Sequence, residues 1–373
     1  MQPTDVARDH AFHILRVARV VTETADTRSY VLDIPARLEE VFRYRAGQFC
    51  TFRVRADGDE HMRCYSMSSA PEGAEPLTVT VKRVPGGRVS NWFHDHVRAG
   101  DEVEVRKPGG VFCVREGNAP ILAFCGGSGI TPVISIARSV LATSDRTLTL
   151  LYANRDSASV IFDAELADMA ARSGGRLRVH HHLDSHGGFL QAAAISTLNA
   201  DVPGADIYIC GPQPFMDLVE VTLAESGADP GRLSIERFGA VNVPSVIGVI
   251  GTSDMASVAD SGFGPDDSGD SGDSGDVGPS VPESVTLILK GRRTTVAYSP
   301  GDTVLETGRR GGLTPPFSCE QGNCATCMAI VRKGSARMRA NNALTPEEVA
   351  EGWILTCQAI PEGESVTIEY ESW

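Results

Sequence analysis

From Gly251 to Pro282 the 373-residue chain is written largely in Ser, Gly, Asp and Pro, including the low-complexity SGDSGDSGDVGPS. Such a stretch cannot bury enough apolar surface to offset its conformational entropy, so the chain must fold as separate pieces joined by a flexible, self-repelling linker. No Lys or Arg lies between Arg237 and Lys290, while Asp254, Asp260, Asp266, Asp267, Asp270, Asp273, Asp276 and Glu283 add eight negative charges. More than half of the net charge of −14 therefore sits in one tract. An acidic chain of this kind argues against nucleic acid as a partner, because a phosphate backbone needs a basic surface.

The remaining sequence reads as three folded units, consistent with a length too great for one core. Residues 11 to 110 give short strands (HILRVARVV, SYVLDI, QFCTFRV, MRCYSMS, LTVTVKRV, EVEVRKP) between Gly, Pro and Asp turns, with one helical interruption, SNWFHDHV. This predicts an antiparallel β-barrel over 1–116. After Gly117 strand and helix alternate four times, which predicts an α/β unit with a parallel sheet over 117–238. Residues 239–282 are read as linker. Residues 283–373, with strands VTLILKG, TTVAY and VTIEY around a cysteine-rich loop, make a third unit. No run approaches the roughly 18 apolar residues needed to cross a bilayer. The N-terminus MQPTDVARDHAFHI has charges where a signal peptide would have its apolar core, so the expected location is the cytoplasm.

The nine cysteines divide into two sets. Cys50, Cys64, Cys113, Cys125 and Cys210 are scattered singly through apolar segments, whereas Cys319, Cys324 and Cys327 form C-x4-C-x2-C, with Cys357 thirty residues further on. In a cytosolic chain such clustering points to metal rather than disulfides. The spacing is that of plant-type ferredoxins: three thiolates on a tight loop and a fourth from a distant strand can close a four-sulfur cage around two irons. Gly322 and Ala325 keep the loop free of bulk. A structural zinc site also uses four cysteines, but usually as two CxxC pairs, and only one CxxC is present.

Two further motifs carry nucleotide chemistry. Arg63-Cys64-Tyr65-Ser66 lies on a strand and is followed by TVTVKRV and GGRVSNW. An Arg can fork onto a phosphate, a Tyr ring can stack on an isoalloxazine and a Ser hydroxyl can reach flavin N5. Gly86, Gly87 and Ser90 precede a helix whose exposed N–H groups suit an anion. Four residues alone occur by chance. Their company, GGRVS and a nucleotide unit behind it, makes flavin the reading. The first α/β strand runs through Cys125-Gly126-Gly127-Ser128-Gly129-Ile130-Thr131-Pro132 into a helix. There the glycines would let backbone approach a pyrophosphate, with Thr131 as N-cap and Pro132 in the first helical position. This is not the GxGxxG of dinucleotide-binding dehydrogenases. The last strand ends in Cys210-Gly211-Pro212-Gln213-Pro214-Phe215, at the sheet edge that faces a ligand crevice. The His180-His181-His182 triplet is read as a polar strand end, since successive side chains on a strand point to opposite faces.

Together the three motifs resemble the ferredoxin–NADP⁺ reductase superfamily, in the subgroup with a C-terminal ferredoxin domain. Similarity extends to the reductase components of 3-ketosteroid 9α-hydroxylases and phenylacetyl-CoA epoxidases, through RCYS, TVKR, SNW, GSGITP, LLYANRD, VIF, CGPxPFM and the Arg339–Asn342 loop. The resemblance implies a β-grasp fold for the third unit and FAD rather than FMN. It assigns Arg63, Tyr65, Ser66, Val81, Lys82, Gly87, Val89, Ser90, Thr131 and Phe238 to flavin. Gly127, Ser128, Gly129, Thr131, Pro132, Asn154, Arg155, Cys210, Gly211, Pro212 and Phe215 would hold NAD(P)H, and Ser66, Cys210 and Glu236 would form the hydride site. It also implies a monomer, with a terminal oxygenase as electron acceptor.

The expected chemistry is hydride transfer from NADH or NADPH to the flavin, which passes electrons singly to the 2Fe–2S cluster and on to a partner. That partner is read as a Rieske non-haem iron oxygenase acting on steroids or aromatic rings, with a di-iron or haem monooxygenase as the alternative. A redox sensor is a reading of another class, but a sensor has no need of a hydride site. Arg155 would welcome a ribose 2′-phosphate and Asp156 would resist it, so the donor leans to NADH.

Overall fold

The computed structural model describes residues 10–56, 58–72, 75–238 and 281–370. All but two residues of the expected linker, 239–282, lie outside them.

The first unit contains strands β1 (Phe12–Thr24), β2 (Thr27–Asp33), β3 (Phe49–Ala56), β4 (Asp59–Ser66) and β5 (Thr78–Lys82), then helix α1 (Arg88–His96) and strand β6 (Glu102–Gly109). They form one antiparallel sheet in the order β4-β3-β6-β1-β2-β5. A single bridge between Met67 and Val79 ties its two edges into a barrel. Leu15, Val17, Tyr30, Phe52, Val79, Val81 and Val105 point inward and are almost fully buried. Phe93 of α1 closes one end, edge-on to Tyr30, Phe52 and Tyr65 with ring centroids 5.1, 5.3 and 5.5 Å away.

The second unit alternates β7 (Ile121–Gly126), α2 (Ile130–Thr143), β8 (Leu148–Asn154), α3 (Asp163–Arg172), β9 (Leu177–Leu183), α4 (Ala192–Asp201), β10 (Asp206–Cys210), α5 (Gln213–Glu225) and β11 (Leu233–Glu236). The strands pair in parallel, in the order β11-β10-β7-β8-β9. Every residue of β7 is buried, as a central parallel strand covered on both faces requires. The fifth strand, β11, is four residues long and carries no periodicity that the sequence alone could betray.

The third unit comprises β12 (Ser284–Leu289), β13 (Arg292–Ala297), α6 (Val304–Arg310), β14 (Met328–Met338), α7 (Pro346–Ala350), β15 (Trp353–Leu355) and β16 (Ala359–Glu369). Its sheet order is β13-β12-β16-β14-β15, with β12 and β16 parallel at the centre, the arrangement of a β-grasp. Thr303 and Thr345 start the two helices through capping boxes with Glu306 and Glu348.

The barrel meets its neighbours in two ways. Ala46 and Phe112 belong to the same buried cluster as Ile121, Ile134 and Tyr208 of the second unit. Polar bonds reinforce that seam. The Ser135 hydroxyl donates to the Ser69 carbonyl at 2.6 Å, Arg138 to the Ser68 carbonyl at 2.6 Å, and the Tyr208 hydroxyl to the Cys113 carbonyl at 3.1 Å. The buried clusters of the third unit, in contrast, contain no barrel residue.

Candidate active site

The pleat of β4 separates the flavin motif into two faces. Tyr65 turns its ring toward Phe52 and Phe93, while Cys64 and Ser66 line a small cavity of about 40 Å³ together with Arg63. Glu236 and Phe238 close the cavity from the second unit, and Phe317, Ser318 and Cys319 close it from the third. All three units thus share one wall. The Ser66 hydroxyl is buried and has no hydrogen-bond partner, an unpaired polar group of the kind a flavin edge would satisfy. Val81 is completely buried in the barrel core and its carbonyl is bonded by the His94 ring at 2.9 Å, so its side chain does not face a ligand. Gly87 caps α1, and the Ser90 hydroxyl accepts from Val84 N–H at 3.2 Å with Val89 buried beside it.

At the carboxyl edge of the parallel sheet, Cys125, Cys210 and Glu236 lie in register across three strands. Cys210 is fully buried. Burial pushes the Glu236 carboxyl up to about 8, so it holds its proton at neutral pH. The carboxyl group faces the cavity that Ser66 lines, and Cys210 stands one strand behind it.

The two glycine-bearing loops are locked together. A Cβ on Gly129 would collide with the Cys210 carbonyl, and one on Gly211 would lie 2.9 Å from Gly126 N. The spaces at Gly126, Gly129 and Gly211 are thus filled by the protein itself, and these glycines let the two loops approach each other. Gly127, at φ +50°, does face open space, with Lys82 Nζ 3.7 Å from where its Cβ would be. Thr131 is not the N-cap: Gly127–Gly129 form a 3₁₀ turn that runs straight into α2, so Gly129 caps the helix. The Thr131 hydroxyl donates to the Ser128 carbonyl at 3.0 Å, and Pro132 falls in the third helical position, still among residues whose N–H has no helical acceptor.

Between barrel and second unit opens a cleft of about 750 Å³. It brings together Lys82, Gly127, Asn154, Arg155, Pro212 and Phe215, and neither amide atom of Asn154 has a partner. Asp26, Asp184, Phe189 and Leu218 also line it and escaped the sequence reading. Asp26 sits in a two-residue turn between β1 and β2, with its carboxylate 3.8 Å from Lys82 and 3.7 Å from Arg155. Phe189, 80% exposed, is an apolar plate with no strand or helix pattern to mark it. The cleft's size, apolar lining and unpaired amide fit a dinucleotide. The histidine triplet lies apart on β9, where His182 bonds the Gly188 carbonyl at 2.9 Å.

The cysteine loop is held open by left-handed residues: Glu320 at φ 52°, Gly322 at 76° and Ala325 at 52°. A side chain on Gly322 would press on the Ala340 carbonyl. Backbone N–H groups of Gln321 and Asn323 point at Cys319 Sγ from 3.5 and 3.3 Å, and that of Cys319 at Cys324 Sγ from 3.5 Å. The thiols of Cys319 and Cys324 are neighbours, as are those of Cys327 and Cys357. Two converging thiol pairs with N–H donors around them fit a four-sulfur cage that accumulates negative charge. Arg309 grips Glu320 through two bonds of 2.9 Å and stacks on Phe317 at 4.0 Å, fixing the ring that faces β4.

Cys64 is not one of the scattered apolar cysteines. Its thiol lies 3.0 Å from the Ser318 hydroxyl, next to the first cluster ligand, and 3.3 Å from Thr51 Oγ1. Position between two functional residues of the flavin motif was the only signal in the sequence.

Comparison with known proteins gives a consistent answer for every unit. The oxidoreductase FAD-binding domain family matches residues 15–113, the oxidoreductase NAD-binding domain family 124–220, and the 2Fe-2S iron-sulfur cluster binding domain family 287–362. The ferredoxin reductase component of 3-ketosteroid-9-alpha-monooxygenase from Mycolicibacterium smegmatis is 36% identical over 96% of this chain and 96% of its own length. A component of the 1,2-phenylacetyl-CoA epoxidase from Escherichia coli is 33% identical over 97% of this chain and 98% of its own. Among solved structures, phthalate dioxygenase reductase aligns over 98% of this chain and 99% of its own with a TM-score of 0.58 at 24% identity, which supports the shared fold.

Proposed function

Because the chain belongs to the reductase components of oxygenases, built from FAD-binding, NAD-binding and 2Fe–2S domains, we propose that it draws a hydride from NADH and delivers electrons singly to a terminal oxygenase. The observation that carries this reading is the shared wall of Arg63, Ser66, Glu236, Phe238, Phe317 and Cys319. A flavin seated on β4 there would have the nicotinamide strand ends on one side and the first cluster ligand on the other. FAD supplies hydride acceptance and one-electron release, and the cluster supplies a one-electron relay.

The chain's own residues do the placing. Arg63 offers a guanidinium to a phosphate, the N-terminus of α1 at Gly87 and Ser90 offers a second anion site, and Ser66 presents an unpaired hydroxyl to the ring edge. Glu236, paired in register with Cys210 at the strand ends, would stand beside a nicotinamide that reached the cavity lined by Ser66, where its protonated carboxyl would present a neutral hydrogen-bonding group. NADH is favoured as donor because Asp26 already neutralises Arg155, and Asp184 lines the same cleft, so a ribose 2′-phosphate would meet carboxylates.

The same reading divides the chain at 1–116, 117–238, 239–282 and 283–373, and takes it to be a monomer in the cytoplasm, where its free thiols stay reduced. A Rieske non-haem iron enzyme acting on steroids or aromatic rings is the proposed acceptor, ahead of a di-iron or haem monooxygenase. The test is anaerobic stopped flow of the purified protein with each nucleotide, after extraction and identification of the flavin. Flavin bleaching followed by loss of cluster absorbance, faster with NADH, is expected. A cluster indifferent to both nucleotides would overturn the proposal.

A further inference from the structure

The seam between the barrel and the third unit holds a charge that nothing described so far employs. Arg106, on β6, is 3% exposed. One guanidinium nitrogen donates to the Cys324 carbonyl at 3.3 Å, and Nε has no partner. Its plane lies on the Phe12 ring, 4.6 Å from the centroid, and Arg53 lies against the same ring at 4.3 Å. Glu104, the nearest acidic candidate on its own strand, is committed to Arg53. Among the described residues no carboxylate forms an ion pair with Arg106, and the thiols of Cys324, Cys64 and Cys327 are the groups of opposite potential charge around it.

A guanidinium buried without a counter-charge is costly, and natural structures tolerate one where a charged group meets it. The missing counter-charge is at hand. Four thiolates and two sulfides carry eight negative charges against six positive ones on two ferric ions, and one added electron makes the cage more negative still. We propose that Arg106 is a positioning residue whose cation docks the cluster loop onto the barrel and raises the potential of the docked cluster. Docking by itself would strip water from the loop and disfavour the extra negative charge. Arg106 supplies the opposing attraction, at the Cys324 carbonyl. The flavin thereby loses one electron to an acceptor whose reduced state the seam stabilises. Linkage makes the effect reciprocal: whatever factor docking adds to cluster reduction, reduction adds to docking.

This rests on the reading that the loop holds the cluster, so the experiment separates the two. In the full-length holoprotein, the cluster potential is measured by EPR-monitored titration for wild type, Arg106→Met and Arg106→Lys. Coupling of about tenfold is within the usual range. Its loss in Arg106→Met would lower the potential by about 59 mV for this one-electron couple. Arg106→Lys, which keeps the charge, is expected to stay near wild type. An unshifted potential in Arg106→Met overturns the inference, as does an equal fall in both variants, which would assign Arg106 to packing alone. Absence of a cluster signal from wild type would instead overturn the cluster reading. Should either variant misfold, hydrogen exchange on the wild-type protein decides the matter. Amides of 60–66 and 318–324 are expected to be more protected after reduction by dithionite than before, and equal or weaker protection overturns the proposal.

Discussion

The barrel is joined to its two neighbours by seams of different construction. Toward the nucleotide unit the hydrophobic cores merge, with Phe112 edge-on to Tyr208 at 5.3 Å and the Ser135 and Tyr208 hydroxyls bonded to backbone carbonyls across the join. Toward the ferredoxin unit the contacts are single polar pairs, Cys64 to Ser318, Arg106 to Cys324 and His10 to Glu348 at 2.9 Å, with no shared core. Merged cores resist separation because every apolar atom exposed costs free energy, whereas a few polar pairs can be exchanged for water at little net cost. Hydride transfer needs a fixed donor and acceptor. Electron delivery to another protein needs a carrier that can be released, and the seams divide along that line.

The sharpest way to break the contrast is to remove the cage. Cys324→Ser is expected to abolish the cluster's absorbance and EPR signal and all reduction of the oxygenase, while NADH still bleaches the flavin. Loss of flavin reduction as well would mean that the two seams are not independent. Next in size is Phe112→Ala, which should cost about 3–5 kcal/mol of stability, as large-to-small changes in merged cores do. Calorimetry should show barrel and nucleotide unit losing stability together and the ferredoxin unit unchanged. Ser66→Ala should slow hydride transfer by about a hundredfold, the scale of one lost contact to a reacting group, with cluster potential unaltered. The smallest effect concerns Glu236. As pH rises from the carboxyl's ordinary 4.5 to about 8, the unfolded chain releases a proton that the folded chain keeps. Stability therefore falls across that window and is level above it. Glu236→Gln should flatten the slope, and at a pH near the lower end of that window, where little of it has been crossed, raise Tm only slightly.

The strand and helix order of the first two units was legible because periodicity changes at Gly117 from two to the strand-helix rhythm of a parallel sheet. β11 was not, since LSIE is too short to show a pattern and owes its pairing to β10. In the third unit β14 and α6 also went unread: β14 pairs with β16 through two register shifts that break its alternation, and α6 is only seven residues long. The four cysteines were readable because metal ligation fixes both residue type and spacing. Asp26 and Arg106 were not, since each acts through a neighbour supplied by another unit, and Phe189 was not, since it lies in no strand or helix. Thr131 was misplaced because the 3₁₀ start at Gly127 looks, in sequence, like an ordinary loop.

The interlocked glycines at 126, 129 and 211 set a limit on redesign. A side chain at any of the three would strike the other loop, because each occupies the space the other would need. An engineer seeking to switch this reductase between pyridine nucleotides would have to leave both loops untouched. The positions left to vary are Arg155 and Asp184, which line the cleft outside those loops.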